Sequence, residues 1–209
     1  MMEIILVRHG QTEWNTGRVY RGRADVGLDE VGMKQAELLG GYLAELKLDA
    51  VYSSPLRRAL DTAVAVAQHQ AIDVQVSDGL IDFDYGKWQG LSDEEVRKSY
   101  PALRRRWCTA PHLVTMPRGE SLRDVKKRAL AVVDGAVRGY DGHVVLVSHR
   151  VVNKVLICSL LGLGNSHFWD IRQDVGGMTT FDYVDSRFVL TGHNDTSYLV
   201  GVRTPVDDF

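Results

Sequence analysis

Two short runs of apolar residues constrain the fold of this 209-residue chain more than any other feature. Residues 4–7 (IILV) and 143–147 (HVVLV) carry branched apolar side chains at almost every position, without the alternation of a half-exposed strand. Strands of this kind are typical of a sheet that is covered on both faces, and such sheets are mostly parallel. The two runs therefore predict an interior parallel sheet with helices on either side.

Start signals for amphipathic helices lie between and after these runs. Asp29, Ser54 and Ser121 each precede apolar residues at helical spacing, so we expect each of them to be an N-cap. A fourth helix is predicted over about 151–161, before a glycine. Further strands are predicted over 49–52, 178–183, 188–190 and 198–202, with a turn at Asp185 and Ser186.

The alternation of strands and helices predicts an α/β fold. We expect a three-layer α/β/α sandwich with a mostly parallel central sheet, formed by residues 1–209 as a single domain. Residues 78–119 interrupt the alternation, because Ser92 and Glu95 form a capping box for a short helix that is followed by proline-containing turns. We interpret this stretch as a small inserted cap over one end of the sheet.

Composition excludes several classes of function. Lys and Arg number 25 against 27 Asp and Glu, a net charge of -2, so no global positive field indicates nucleic-acid binding. No apolar run is long enough to span a bilayer, and we expect no membrane partner. The N-terminus does not resemble a signal peptide, and Cys108 and Cys158 lack metal-ligand spacing, so we expect the protein in the cytoplasm. We expect it to be a monomer or a homodimer.

Charged residues follow three of the predicted strands at their carboxyl ends. The first strand ends in Arg8 and His9, the second is followed by SSPLRR with Arg58, and the 143–147 strand ends in His149. Because the carboxyl ends of parallel strands form the ligand crevice of open α/β sheets, these side chains are expected to converge. Burial of such a cationic cluster without a counter-charge is costly, which indicates a bound phosphate or carboxylate.

These motifs together resemble the histidine phosphatase superfamily, also called the phosphoglycerate mutase-like family. The resemblance covers nearly the whole chain: RHGQTEWN, SSPLRRALDTA, DFDYGKWQG and VSH each match a family motif. It implies a nucleophilic histidine that becomes phosphorylated, with no metal and no cofactor. The phosphate pocket that it implies consists of Arg8, Asn15, Arg58 and His149.

The residue types suit this chemistry. A neutral imidazole is a competent nucleophile near neutral pH, so His9 is the predicted nucleophile. Arginine forks and a protonated His149 are expected to stabilise the charge of the transferring phosphoryl group, as Mg²⁺ does in other enzymes.

The leaving oxygen needs a proton, which a nearby carboxyl group could supply. Asp82 occupies the family's position for this acid, where the family more often has the longer Glu. Asp84 is an alternative, because side chains two residues apart in an extended segment point to the same side. We favour Asp82 as the catalytic acid.

Three residues are candidates for substrate binding outside the phosphate pocket. Arg21 stands where phosphatases of the family often have Gln, Gly22 follows it, and Arg150 stands where Gly is common. Both arginines suggest an anionic substrate, although either side chain could instead point to solvent. The run of arginines at 104–106 is interpreted as a solvated helix face, and His112 as a possible lid contact.

Three functions are compatible with these features. A phosphatase that hydrolyses a small anionic phosphomonoester is favoured, and the sequence resembles alpha-ribazole phosphatases and metal-independent phosphoserine phosphatases. The first alternative is a 2,3-bisphosphoglycerate-dependent mutase, whose relatives have a longer C-terminal tail, whereas this chain ends at TPVDDF soon after its last predicted strand. The second is a non-catalytic phosphate-binding module, an alternative that rests only on Asp at position 82.

Overall fold

A six-stranded mixed sheet forms the centre of the molecule in this computed structural model, which describes residues 2–16 and 19–202. Its spatial order is β3-β2-β4-β1-β5-β6. The first four of these strands run parallel to one another, whereas β5 is antiparallel to β1 and β6 is antiparallel to β5. The strands are β1 (Met2–Arg8), β2 (Leu48–Ser53), β3 (Val74–Val76), β4 (His143–Ser148), β5 (Met178–Val184) and β6 (Arg187–Asp195).

Helices cover both faces of the sheet, as the sequence predicts. Apolar residues of β1 alternate between two cores, with Ile4 and Leu6 in one core and Ile5 and Val7 in the other. This explains why β1 is apolar throughout rather than amphipathic. The helices are α1 (Glu13–Thr16), α2 (Glu30–Leu43), α3 (Arg57–Ala67), α4 (Asp93–Ser99), α5 (Pro101–Thr109), α6 (Leu122–Gly139) and α7 (Arg150–Leu160).

The predicted N-caps are correct in two of three cases. Asp29 accepts a hydrogen bond from the backbone of Gly32 at 2.8 Å, and Ser121 forms a capping box with Asp124. The prediction for Ser54 is wrong, because the N-cap of α3 is Leu56, which makes no side-chain capping bond. The side chain of Ser54 instead faces the site described below.

One predicted strand is absent and one strand was not predicted. Residues 198–202 form turns, because the backbone there is satisfied locally: Leu199 donates to the carbonyl of Thr196 at 3.1 Å. The edge of the sheet is formed instead by β6, which extends beyond its predicted range after the expected turn at Asp185 and Ser186. The short strand β3 was missed, since its three residues are too few to show periodicity.

The segment predicted as a cap, residues 78–119, supplies no strand to the sheet and contains α4, α5 and three short 3₁₀ helices. The capping box of Ser92 and Glu95 is present at the start of α4. Within the described part of the chain, no helix is long and apolar enough to cross a membrane. The C-terminal TPVDDF lies outside the described residues.

Candidate active site

The carboxyl ends of three adjacent parallel strands carry the site. Arg8 is the last residue of β1 and pairs in register with Ser148 of β4, so His9 and His149 follow side by side. Their ring centroids are 5.1 Å apart. The next strand, β2, leads into α3, whose second residue is Arg58. The predicted convergence of these residues is therefore present in the structure.

Hydrogen bonding fixes the tautomer of His9. Its Nδ1 lies 2.7 Å from the carbonyl oxygen of Gly10 and must carry the proton, since a carbonyl only accepts. The lone pair is then on Nε2, towards which Nε of Arg58 donates at 3.3 Å. His9 is 1% exposed, so its ring has little freedom to reorient.

The surroundings of His9 also keep it uncharged. Burial lowers the pKa of His9 well below its ordinary value of 6.5, and the positive charges of Arg58, Arg21 and Arg8 act in the same direction. A neutral ring with a fixed lone pair on Nε2 is the form of histidine that can attack phosphorus.

Arg58 is the central cation of the site. It is fully buried, and its Nη1 and Nη2 donate to the carbonyls of Ala24 and Gly22 at 2.8 and 2.9 Å. Nη2 also lies 3.0 Å from Oδ2 of Asp82. Two backbone carbonyls and one carboxylate thus hold the guanidinium beside Nε2 of His9. Such a rigid fork is suited to an oxyanion.

Asp82 and Asp84 have different environments. Oδ2 of Asp82 lies 3.6 Å from Nδ1 of His149, and its Oδ1 accepts from the backbone of Phe83 at 2.8 Å. Asp84 accepts from the backbone of Gly86 at 2.8 Å and lies 3.7 Å from Arg23. The structure therefore brings Asp82 to the cluster, whereas Asp84 stabilises a turn and a neighbouring ion pair.

Ser54 is a site residue that the sequence analysis missed. Its Oγ lies 2.7 Å from Nε2 of His149 and is completely buried. Its position after β2, at the same edge of the sheet as the histidines, indicates a site residue. The sequence also matches a helix N-cap there, and that interpretation was favoured. Burial and the positive charge of Arg58 lower the pKa of His149 well below 6.5, so the ring is neutral in the absence of an anion. The expected protonation of His149 concerns the site with a phosphoryl group bound and stays a prediction.

Arg8 is held by the loop that precedes β5. Its Nη1 donates to the carbonyl of Gln173, and its backbone N–H donates to Gly177 at 3.1 Å. Asn15 uses Oδ1 to accept from the backbone and hydroxyl of Thr12, both at 2.9 Å. Its Nδ2 is buried and has no hydrogen-bond partner in the described residues, which leaves a donor for a ligand.

The three candidates for substrate binding lie beside this cluster. Arg21 is partly buried and donates to Oγ1 of Thr12 at 3.4 Å, so it does not point to solvent. Burial and then the charges of Arg8 and Arg58 lower its pKa to about 9. Gly22 acts through its carbonyl, which accepts from Arg58. Arg150 also points inward, with its guanidinium carbon 6.0 Å from the centre of the Trp169 ring.

Two further predictions concern the segment predicted as a cap, residues 78–119. Arg104 is not part of a solvated face, because it is 9% exposed and its Nε lies 2.6 Å from Oδ1 of Asp93, an interaction that links α5 to α4. Arg105 and Arg106 are exposed, as expected. His112 is exposed in a short helix and has no observed lid contact among the described residues.

No group of three or more His, Cys, Asp or Glu side chains in residues 2–16 and 19–202 is arranged to hold a metal ion. The positive charges that surround the two histidines are guanidinium groups, and Asp82 is the carboxylate beside them. Arginine forks bind phosphate oxygens in bidentate geometry, so the cluster has the composition of a phosphoryl-binding site.

Comparison with known proteins agrees with this composition. Residues 4–196 match the family described as histidine phosphatase superfamily, branch 1. The chain belongs to the histidine phosphatase superfamily. The resemblance of its sequence motifs to that family is therefore confirmed.

Several named phosphatases are similar to this histidine phosphatase in sequence or in structure. Phosphoserine phosphatase 1 of Hydrogenobacter thermophilus is 38% identical over 200 residues, which cover 95% of each chain. Glucosyl-3-phosphoglycerate phosphatase of Mycolicibacterium vanbaalenii is 35% identical over 202 residues, covering 91% of this chain and 84% of the relative. The structure of Entamoeba histolytica phosphoserine phosphatase with 3-phosphoglyceric acid has a TM-score of 0.86 at 29% identity, covering 96% of this chain and 100% of that one.

These findings confirm two predictions from the sequence. The fold is a mixed sheet with helices on both sides, like that of the structural relatives. The function is that of a phosphatase acting on small phosphate esters, and neither the mutase nor the non-catalytic alternative is favoured.

Proposed function

We propose that this histidine phosphatase hydrolyses small anionic phosphomonoesters in two displacements, with His9 as the nucleophile. The observation that carries the proposal is the state of His9: a buried, neutral ring whose Nδ1 proton is bound by Gly10, leaving the Nε2 lone pair beside Arg58. In the first displacement, Nε2 forms a bond to phosphorus as the bond from phosphorus to the ester oxygen breaks. In the second, water replaces Nε2 and inorganic phosphate leaves.

Asp82 is the proposed acid and base. Its Oδ2 lies 3.0 Å from Nη2 of Arg58 and 3.6 Å from Nδ1 of His149, and as the acid it enters the first step with a proton on its carboxyl group. That proton passes to the leaving alkoxide in the first step. The resulting carboxylate takes a proton from the attacking water in the second step, so Asp82 is restored at the end of the cycle.

The equatorial phosphate oxygens are bound by donors that the fold holds in place. Arg8, Arg58 and Nδ2 of Asn15 are the proposed phosphate ligands. His149 is neutral without a ligand, but the negative charge of bound phosphate favours its protonation, after which it also donates to an oxygen. Ser54 is the proposed partner that orients His149.

We propose that no metal ion takes part. The charge that develops in phosphoryl transfer needs positive partners, and the arginines of the site can supply them. Activity is therefore expected to survive exhaustive treatment with EDTA. Loss of activity that Mg²⁺ or Mn²⁺ restores would overturn this part of the proposal.

The substrate class follows from the relatives and from Arg21 and Arg150, which add positive charge next to the phosphate pocket. We propose a small phosphorylated metabolite, by analogy with the phosphoserine and glucosyl-3-phosphoglycerate phosphatases. Cys108 and Cys158 are both free thiols, which suits a reducing compartment, so we propose the cytoplasm as the location.

The test is a steady-state assay of phosphate release from p-nitrophenyl phosphate and from a panel of natural phosphomonoesters. The panel includes 3-phosphoglycerate with and without 2,3-bisphosphoglycerate. We expect release of phosphate in the absence of bisphosphoglycerate. Isomerisation of phosphoglycerate without release would indicate a mutase, and no turnover of any ester would indicate a binding module.

A further inference from the structure

Arg150 occupies a position that helix stability does not explain. It is the first residue of α7, and the first turn of this helix contains no acidic side chain. The N-terminus of a helix carries partial positive charge, so a cation there is unfavourable for the isolated helix. A positive side chain that is added to a positive helix end forms an anion-attracting surface.

Aromatic residues fix the direction of Arg150. Its guanidinium lies over the ring of Trp169 at 6.0 Å and is hydrogen-bonded to the hydroxyl of Tyr85. Tyr85 is only 4% exposed, so its hydroxyl is a fixed acceptor. A cation–π contact with Trp169 and a hydrogen bond to the hydroxyl of Tyr85 give the guanidinium a defined orientation.

Trp169 is itself held firmly. Its Nε1 donates to the carbonyl of Trp107 at 2.7 Å, and the ammonium of the buried Lys154 lies 4.6 Å from its ring centre. Arg150 and Lys154 are one turn apart on α7, so they lie on the same side of the helix and both interact with Trp169. The orientation of Arg150 is thus built into the packing between α7 and the short helix that contains Trp169.

Arg150 lies at the same edge of the sheet as the site, because it directly follows His149 after β4. Its guanidinium lies over Trp169 in the short helix Asn165–Asp170, which contributes none of the residues described around His9. The carboxylate of Asp82 raises the pKa of Arg21, whereas the charges of the neighbouring arginines lower it. A phosphate group bound at His9 leaves the second cationic region, formed by Arg21 and Arg150, facing the remainder of the substrate.

We infer that Arg150, held by Tyr85 and Trp169, binds a carboxylate of the substrate at the site where His9 takes the phosphate. This inference rests on the proposed function and makes its substrate class more specific: phosphomonoesters whose alcohol part carries a carboxylate. A planar guanidinium binds a carboxylate through two parallel hydrogen bonds, and its partial desolvation by Trp169 strengthens them.

Two esters that differ only in this group provide the test. 3-Phosphoglycerate and sn-glycerol 3-phosphate are both primary alkyl phosphates, and the first has a carboxylate where the second has a hydroxymethyl group. We expect wild-type kcat/KM to favour 3-phosphoglycerate by about 10- to 100-fold, the usual value of a charge-assisted hydrogen bond. In Arg150→Gln the ratio is expected to fall to within about threefold of unity.

Control variants separate this effect from a general loss of charge. Arg150→Lys keeps the charge but not the planar fork and is expected to give an intermediate ratio. Arg138→Gln removes one positive charge from the exposed C-terminal end of α6, before β4 begins, and is expected to retain the wild-type ratio. Equal losses for both esters in Arg150→Gln, or a wild-type ratio near unity, would overturn the carboxylate assignment.

Binding measurements distinguish failure of this inference from failure of the proposed function. Calorimetry on His9→Ala measures the affinity for both esters without turnover. If wild type hydrolyses neither ester but the Arg150-dependent difference in affinity remains, the proposed hydrolysis fails and the carboxylate site stands. If both esters are hydrolysed and neither binding nor kcat/KM depends on the carboxylate, the hydrolysis stands and the carboxylate site fails.

Discussion

The state of one imidazole decides what this site can do. His9 lies at the end of a strand, where its Nδ1–H donates to Gly10 and Nε2 carries the lone pair. Burial and three arginines keep the ring neutral. The cationic surroundings therefore have two effects in the proposed mechanism, because they attract a phosphate dianion and also suppress protonation of the proposed nucleophile, His9.

The lowered pKa values of His9 and His149 predict how stability depends on pH. Both folded-state pKa values lie below the unfolded value of 6.5, so the unfolded chain binds more protons as the pH falls. The contribution of these two histidines to the free energy of unfolding is fully present above about pH 6.5 and is lost at lower pH. The slope is up to about 1.4 kcal/mol per pH unit for each histidine. Urea denaturation of ligand-free protein between about pH 5 and 8 measures this slope. A slope that is unchanged in His9→Gln and His149→Gln would contradict the account.

A second prediction at the residue scale concerns Asp82. If its carboxyl group protonates the leaving oxygen, Asp82→Asn slows hydrolysis of alkyl phosphates by about 10² to 10⁴. A nitrophenolate leaves without that proton, so the loss in formation of the phosphoenzyme from p-nitrophenyl phosphate is expected to be smaller. Rapid-quench measurement of the first displacement with both substrates gives the comparison.

Loss of the ion pair with Arg58 affects both substrates alike, so only the difference between them reports proton transfer. Asp84→Asn is the matched control, since Asp84 bonds to a turn and not to the cluster. Equal losses for alkyl and aryl phosphates in Asp82→Asn would exclude Asp82 as the acid.

At the scale of elements, the turn after β1 is fixed by a contact between two glycines. A Cβ on Gly10 would lie 2.6 Å from the carbonyl oxygen of Gly32 in α2, and a Cβ on Gly32 would lie 2.0 Å from the carbonyl oxygen of Gln11. The start of α2 thus lies directly against the turn that carries His9. The absence of a side chain at Gly10 allows the two backbones to come this close.

The variant Gly32→Ala tests this contact. The new methyl group cannot be accommodated without moving α2 or the turn, so we expect a loss of about 1 to 3 kcal/mol in the free energy of unfolding and a reduced kcat/KM. Gly41→Ala is the matched control in the same helix, because a Cβ there meets nothing within 4 Å. This control is expected to stabilise the protein by about 0.5 to 1 kcal/mol. Urea denaturation of both variants measures the effect, and wild-type stability and activity in Gly32→Ala would contradict it.

Several elements could be predicted from the sequence because local rules decide them. The apolar runs of β1 and β4 required a sheet covered on both faces, and the side chains of Asp29 and Ser121 cap their helices as expected. Ser54 satisfied the same local rule, but α3 begins after Leu56, and Oγ of Ser54 both accepts from the backbone of Leu56 at 3.3 Å and lies 2.7 Å from Nε2 of His149. Arg104 appeared to belong to a solvated face because its partner, Asp93, belongs to another helix.

At the scale of the whole molecule, the sheet topology creates the site. Parallel pairing of β1 with β4 and of β4 with β2 aligns three carboxyl ends, which bring together residues from positions 8, 54, 58 and 149. The sequence predicted the convergence of Arg8, Arg58 and His149 from the strand ends alone, but not that Ser54 would join them. It could not predict that Asp82 would reach Arg58 or that Arg150 would lie over the ring of Trp169, because both contacts depend on how irregular segments pack.

The most direct test of the account is to locate the phosphate on the enzyme during turnover. Rapid quenching of Asp82→Asn with radiolabelled p-nitrophenyl phosphate, followed by peptide mass spectrometry under alkaline conditions, identifies the modified atom. We predict an acid-labile phosphate on His9, bound at Nε2, and neither label nor turnover in a stably folded His9→Ala. Label on another residue, or substantial hydrolysis by His9→Ala, would contradict the central claim.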